Sequence, residues 1–173
     1  VTDAMESGPI LVAVGAALVT ALAGGLLTTT GPWYHSLRRP SWKPPDWAFG
    51  PVWTTIFTLT AISGVMAWHA DTSPSARSAL LSAYAVNLIL NIAWSGIFFR
   101  LRRPDWAYVE VIALWLSIVA LIVVTARVSG AAALLLAPYL TWVSIATLLN
   151  RAIVKLNGPF GRRQASPILG GRA

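Results

Sequence analysis

"SALLSAYAVNLILNIAWSGIFF", residues 78–99, contains no Asp, Glu, Lys or Arg, and its reading decides the fold class. At a rise of about 1.5 Å per residue this stretch, as a helix, crosses a hydrocarbon core about 30 Å thick. Four more runs lack those charges, at residues 7–37, 47–70, 111–126 and 128–150. The fourth span is completed by starting it near Trp106 and admitting Glu110. The pattern predicts an all-α integral membrane protein, a bundle of five transmembrane helices over about 9–29, 49–69, 78–99, 105–126 and 131–154. A membrane barrel needs alternating strands of about ten residues, and that alternation is missing.

Composition agrees. The 173-residue chain is 56% hydrophobic and 11% charged, against about 25% charged residues in an ordinary soluble domain. Its net charge of +7 lies between apolar runs rather than on a soluble basic face, which argues against nucleic acid as a partner. With no cysteine, disulfides, thiolate metal sites and a cysteine nucleophile are excluded together. Ala21-Leu22-Ala23 resembles a signal-peptide cleavage site. The only charges ahead of it are Asp3 and Glu6, where a signal needs positive charge, so the first segment is read as a retained helix.

Five spans place the N-terminus and the second and fourth loops on one side, which carries only Arg77 and Arg127. The opposite side holds Arg38, Arg39 and Lys43, then Arg100, Arg102 and Arg103, then Arg151, Lys155, Arg162, Arg163 and Arg172. The excess of Lys and Arg puts that side, with the C-terminus, in the cytoplasm and the N-terminus outside. A bacterial inner membrane is the expected location, with the outer membrane as the alternative. Residues 1–157 form the transmembrane domain, and 158–173 a basic, Gly- and Pro-rich flexible tail.

Tyr84, Asn87, Asn91, Trp94 and Phe98 recur at steps of three and four and share one face of the third helix. An intramembrane Asn is either interhelical glue or the lining of a cavity. Pro138, Trp142 and Leu149, with Tyr139 and Ala146 nearby, mark a comparable face on the fifth helix, and Trp53 and Phe57 one on the second. Pro138 removes a backbone donor opposite Leu134, so a bend is expected there. Trp68 and Trp106 fit an interfacial aromatic belt, whereas Trp53, Trp94 and Trp142 suit a pocket. Ala79, Ser82, Ala83, Ala85, Ala93 and Gly96 are small residues of the kind that mark helix or subunit contacts.

Catalytic patterns are absent: there is no phosphate loop, HExxH run or Ser-His-Asp set. His35 and His69 fall near opposite faces of the membrane and cannot share a metal. Glu110, the sole carboxylate within a span, sits early in its helix, where the macrodipole eases burial, and is read as structural.

"WYHSLRRPSWKPPDWAFGPVWTTIF", "NLILNIAWSGIFF" and "PYLTWVSIATLLN", in that order, closely resemble the tryptophan-rich sensory protein and translocator protein family, TspO/MBR, also called the peripheral benzodiazepine receptor family. The resemblance covers the chain to about Asn157. It implies a five-helix bundle, commonly a homodimer, whose pocket opens toward the first loop. Implied ligands are protoporphyrin IX and haem-like tetrapyrroles, cholesterol-like sterols and synthetic benzodiazepine-site drugs. Carried over by position, the pocket draws on Trp33, Trp42, Phe49, Trp53, Phe57, Asn87, Asn91, Trp94, Tyr139, Trp142, Ala146 and Leu149. Many relatives have Tyr where Phe57 stands, so one hydroxyl contact is lost, and "LLNRAIVKLN" lacks the Tyr of a sterol motif.

The function implied is a membrane-embedded tetrapyrrole-binding sensory or regulatory protein. It needs no obligatory cofactor and no metal; porphyrin or haem enters as ligand and lipid as surroundings. Rigid aromatic walls lose little entropy when they hold a planar macrocycle, and the prolines of residues 31–57 stiffen a loop that acts as a lid. Two alternatives stand beside it: a light-dependent porphyrin-degrading enzyme using Trp53 and Trp142, and a transporter of porphyrins or other small hydrophobic molecules.

Overall fold

The structure, a computed structural model, describes residues 2–161, with side chains from Ser7 onward. From residue 162 the expected tail lies outside the described residues. The helices are α1 (Thr2–Leu27), α2 (Pro32–Ser36), α3 (Asp46–Ala70), α4 (Pro74–Ser95), α5 (Pro104–Ala126), α6 (Gly130–Leu134) and α7 (Ala137–Asn157). Five stretches are long and apolar enough to cross a membrane: Ser7–Leu27, Asp46–Ala70, Pro74–Arg100, Pro104–Ala126 and Gly130–Asn157.

Local chemistry sets the helix starts. Pro74 and Pro104 occupy first turns, where the missing N–H costs nothing. The Ser73 hydroxyl accepts from the Ala76 N–H at the head of α4, and the Ser129 hydroxyl from the Ala132 N–H at the head of α6. Asp46 opens α3 with a negative charge at the positive end of its dipole and pairs with Lys43.

Two features depart from continuous helices. At the end of α4, Gly96–Arg100 forms a π-helical turn, closed by the Leu101 N–H on the Gly96 carbonyl at 3.0 Å. The wider turn buries the adjacent Phe98 and Phe99, their rings 4.8 Å apart. The fifth span is broken at Leu135 and Leu136, where tight bonds run from the Leu135 N–H to Ala132 and from the Leu136 N–H to Ala133. Pro138 therefore falls in the first turn of α7. The expected bend is a stop and restart, which spares Pro138 the clash of a helix interior.

α5 is the central helix and touches α3, α4, α6 and α7. Ala107, Val111, Leu114, Ile118, Leu121 and Thr125 recur along it at steps of three and four, and all are buried. α1 packs on α3 and α4 but leaves Leu11, Val12, Leu18, Leu22 and Leu26 each more than half exposed. In water that face would be a liability; in lipid it costs nothing, because acyl chains are as apolar as Leu. The Tyr84 ring lies against α3 at Gly64, where an added Cβ would meet it at 3.5 Å, an ordinary van der Waals contact.

Candidate functional site

Polar side chains inside the bundle join the helices. The Asn87 amide donates to the Ser117 hydroxyl at 2.9 Å, which donates on to the Leu114 carbonyl at 2.7 Å. The Asn91 amide donates to Tyr139 Oη at 2.8 Å. Trp94 Nε1–H reaches Asn150 Oδ1 at 3.2 Å, and the Asn150 amide donates to the Pro104 carbonyl at 2.7 Å. The Ser63 hydroxyl donates to the Ala132 carbonyl at 2.8 Å, so Tyr84 supplies the proton of the 3.0 Å Ser63–Tyr84 bond. Trp115 Nε1–H finds Ser144. Such bonds are favourable in hydrocarbon because an unmet polar group there has no water to turn to.

Aromatic rings gather at the end of the bundle beneath the first loop. Tyr34 and Leu37 of that loop are buried with Phe98, Phe99, Leu149 and Ile153, and Trp33, Phe49 and Trp94 pack around them. Trp33 meets Phe98 edge-on at 6.1 Å, Trp94 lies 5.2 Å from Phe98, and Phe49 meets Trp142 at 5.4 Å. The loop is clamped to α7: the Arg38 N–H donates to Asn157 Oδ1, and the Asn157 amide donates to the Arg38 carbonyl, both at 2.8 Å. Its cations lie over rings, Arg39 over Tyr34 and Lys43 over Phe49. Arg103, between α4 and α5, lies over Trp106 and bonds Asp105 at 2.8 and 2.6 Å, a partner that raises its already high pKa.

A cavity of about 930 Å³ lies between α1, α3 and α4. Ala13, Ala16 and Ala17 form one wall, and their small side chains make the room. Phe57, Asn87, Asn91 and Tyr139 make its inner end; Trp68, His69 and Arg77 lie at its outer end, with Gly8 and Pro9. That outer end faces away from the first loop, and the aromatic cluster just described occupies the loop end of the bundle.

The twelve sequence-derived site residues thus fall into groups. Phe57, Asn87, Asn91 and Tyr139 line the large cavity. Trp53 stands directly behind them, stacked on Phe57 at 5.2 Å and edge-on to Tyr139 at 6.1 Å. Trp33, Phe49, Trp94 and Leu149 belong to the loop-end cluster. Trp142 also lines a shallower groove of about 550 Å³ between α3 and α7, with Pro51, Val52 and Pro138. Ala146 is half-buried on α7, and Trp42 is half exposed. Asn91 and Asn87 act both as interhelical glue and as cavity lining.

Sequence reasoning passed over Asn150, Ser117 and Thr60, and the small-residue face of α1. A polar residue at the end of a span and an i, i+3, i+4 run of Ala were the available signals. Among the described residues no three His, Cys, Asp or Glu side chains gather as metal ligands. Both Glu110 carboxylate oxygens are buried without a hydrogen-bond partner among the described residues.

The fold and site define a five-span helical membrane protein with a large, mostly apolar cavity and a polar inner end. The chain belongs to the TspO/MBR family, whose model matches residues 11–156. It is 40% identical to Tryptophan-rich protein TspO of Chlorobaculum tepidum over 83% of this chain and 92% of the relative. Translocator protein of Sus scrofa is 36% identical over 91% of this chain and 98% of that protein. Protein CrtK of Rhodobacter capsulatus is 34% identical over 78% and 84%. The chain is an integral membrane protein.

Proposed function

We propose that this protein binds a tetrapyrrole, protoporphyrin IX or a haem-like molecule, within the membrane and acts as a sensory or regulatory receptor. One observation carries the proposal: a cavity of about 930 Å³ whose inner end is Phe57, Asn87, Asn91 and Tyr139. Small-molecule sites are commonly about 300–1,000 Å³, mostly apolar with a few convergent polar groups, and this cavity has that character. Its inner end offers an aromatic face at Phe57 and polar groups at Asn87, Asn91 and Tyr139, a match for a flat apolar ring system with nitrogen at its centre. The word sensory in the name of a Cereibacter sphaeroides relative, 32% identical, supports a signalling role. The basic residues beside the first loop favour an orientation with that loop in the cytoplasm.

The test is protoporphyrin titration of the protein in lipid nanodiscs, followed by tryptophan quenching, for wild type and Ala16→Phe. Ala16 lines the cavity on the lipid-bathed helix α1. A Phe there would occupy the room beside the small Ala side chain. Saturable binding in the wild type, weakened about tenfold or more in the variant, is expected, since a blocked cavity forfeits its contacts. Equal affinity in both would remove the cavity from the proposal. Illumination then separates receptor from catalyst: a bound porphyrin that keeps its spectrum fits the receptor. Bleaching that Trp53→Phe abolishes would replace it with the light-driven enzyme.

A further inference from the structure

At the inner end of the cavity the direction of each hydrogen bond follows from a count of protons. Ser117 has one hydroxyl proton, which goes to the Leu114 carbonyl at 2.7 Å, so the 2.9 Å bond between Asn87 and Ser117 is an N–H donation from Asn87. The carbonyl oxygen of that amide, Asn87 Oδ1, is thereby turned away from Ser117. Asn91 donates an N–H to Tyr139 Oη at 2.8 Å, which leaves its own Oδ1 on the other side of the amide. None of these bonds ends on either oxygen. The Tyr139 hydroxyl, which both amides approach, has one proton and can turn it to only one of the two. At least one acceptor therefore stays open.

Asn87 and Asn91 are each more than nine-tenths buried, and both line the cavity. They stand one turn apart on α4, about 6 Å along its axis at the α-helical rise. Thr60 Oγ1 and Arg77 Nε, also without partners, are sealed inside the protein and out of a guest's reach; the two Asn oxygens are not among the sealed atoms. A buried acceptor left unmet in an apolar wall is costly, and one that faces open room points to a guest that meets it.

We infer that the inner end of the cavity is an acceptor subsite: Asn87 Oδ1 and Asn91 Oδ1 take an uncharged N–H or O–H of a flat, apolar guest whose body lies between Phe57 and the alanines of α1. The inference rests on the cavity being the ligand site, but not on the ligand being a tetrapyrrole. The donor is uncharged because the residues at that end, Phe57, Asn87, Asn91 and Tyr139, carry no formal charge to offset the desolvation of an ion. A flat body suits the Phe57 ring, itself stacked on Trp53 at 5.2 Å. Selection follows from the same chemistry, since a site built to bond an N–H or O–H rejects the analogue that lacks it by leaving its own oxygen unpaired.

The experiment uses the full chain in phosphatidylcholine nanodiscs, titrated with carbazole, a flat apolar ring system with one N–H, and with N-methylcarbazole, which lacks the donor. Binding is read by energy transfer from tryptophan, and each affinity is corrected for partition into protein-free nanodiscs. Wild type should hold carbazole about fivefold or more tightly, the return on one hydrogen bond to an acceptor otherwise left unmet. Asn87→Leu or Asn91→Leu should erase that ratio, and Ala16→Phe should weaken both probes alike by filling the cavity. The wild-type ratio and Ala16→Phe need neither Asn variant, so a misfolded Asn91→Leu leaves the test standing. Equal binding of the two probes, no saturable binding of either, a ratio unchanged in both Asn variants, or full affinity in Ala16→Phe overturns the subsite. A parallel titration uses protoporphyrin IX. Saturable porphyrin binding with no preference for carbazole removes the subsite and keeps the tetrapyrrole reading; a preference for carbazole with no porphyrin bound keeps the subsite and removes that reading.

Discussion

The end of the bundle beneath the first loop and the end that faces away from it solve the same problem, polar groups in hydrocarbon, in opposite ways. Near the loop, Trp94, Asn150 and the Pro104 carbonyl satisfy one another, Asn157 clamps Arg38, and rings from three helices and the loop fill the space between. At the far end the wall is Ala13, Ala16 and Ala17, the room is about 930 Å³, and Thr60 and Arg77 keep buried atoms without partners among the described residues. Helix α3 belongs to both: Phe49 and Trp53 serve the packed half, Thr60, Gly64 and Trp68 the open one. A closed hydrogen-bond network fixes one arrangement, whereas small residues leave open room. The contrast sets a packed loop half against an open far half.

Substitutions can break or sharpen that contrast. The largest effect is expected from Asn150→Leu, which strands the Trp94 indole N–H and removes the bond to the Pro104 carbonyl, whose helical partner remains. Thermal unfolding in detergent should show a loss of about 2 kcal/mol, from one donor left unmet and one further bond lost. A loss below about 0.5 kcal/mol would mean that the loop half is not held by its polar network. Asn157→Ala should cost about 1–2 kcal/mol and, more tellingly, speed hydrogen exchange at the Arg38 amide while leaving α3 and α5 amides unchanged. Ala17→Leu, in the open half, should change stability by less than about 1 kcal/mol, because the added methyl groups enter existing room. The same substitution at a packed position would strain the core.

The smallest effect concerns pH. Asp71, in the turn before α4, is held below the usual carboxylate range, chiefly by the Ser73 backbone N–H, with help from the Ser73 side chain and the charge of Arg77. A lowered folded-state value means its contribution is present above the ordinary carboxylate pKa and is lost as pH falls through the lower one. Protection of the Ser73 amide, taken against its intrinsic exchange rate, should therefore fall only in acid. Asp71→Asn should flatten that dependence, and an unchanged acid response in this variant would assign it elsewhere.

Much of this architecture was legible in the sequence. Charge-free runs bounded by Pro and Arg mark the five spans, because a charge in hydrocarbon is expensive enough to act as punctuation. The shared face of Tyr84, Asn87 and Asn91 follows from helical periodicity, and all three line the cavity. The π turn at Gly96–Arg100 was not legible: an ordinary helical period does not put Phe98 and Phe99 both inward, and only packing reveals the extra residue. Pro138 announced a bend but not its form: "LLLAP" reads as unbroken apolar sequence, so the stop at Leu135 and restart at Ala137 stayed hidden. The partners of the buried amides stayed hidden because a lone Ser117 in an apolar run carries no address. Arg77 looked like a mark of topology, and only the structure places it over Trp68 at the end of a cavity.

The Asn157 side chain does two jobs at once, donating to the Ile153 carbonyl within the last turn of α7 and to the Arg38 carbonyl in the first loop. Unwinding of that final turn and release of the loop are therefore a single event. A protein that pulled on the chain beyond Gly158 would be tugging, through one amide, on the latch over the aromatic end of the bundle.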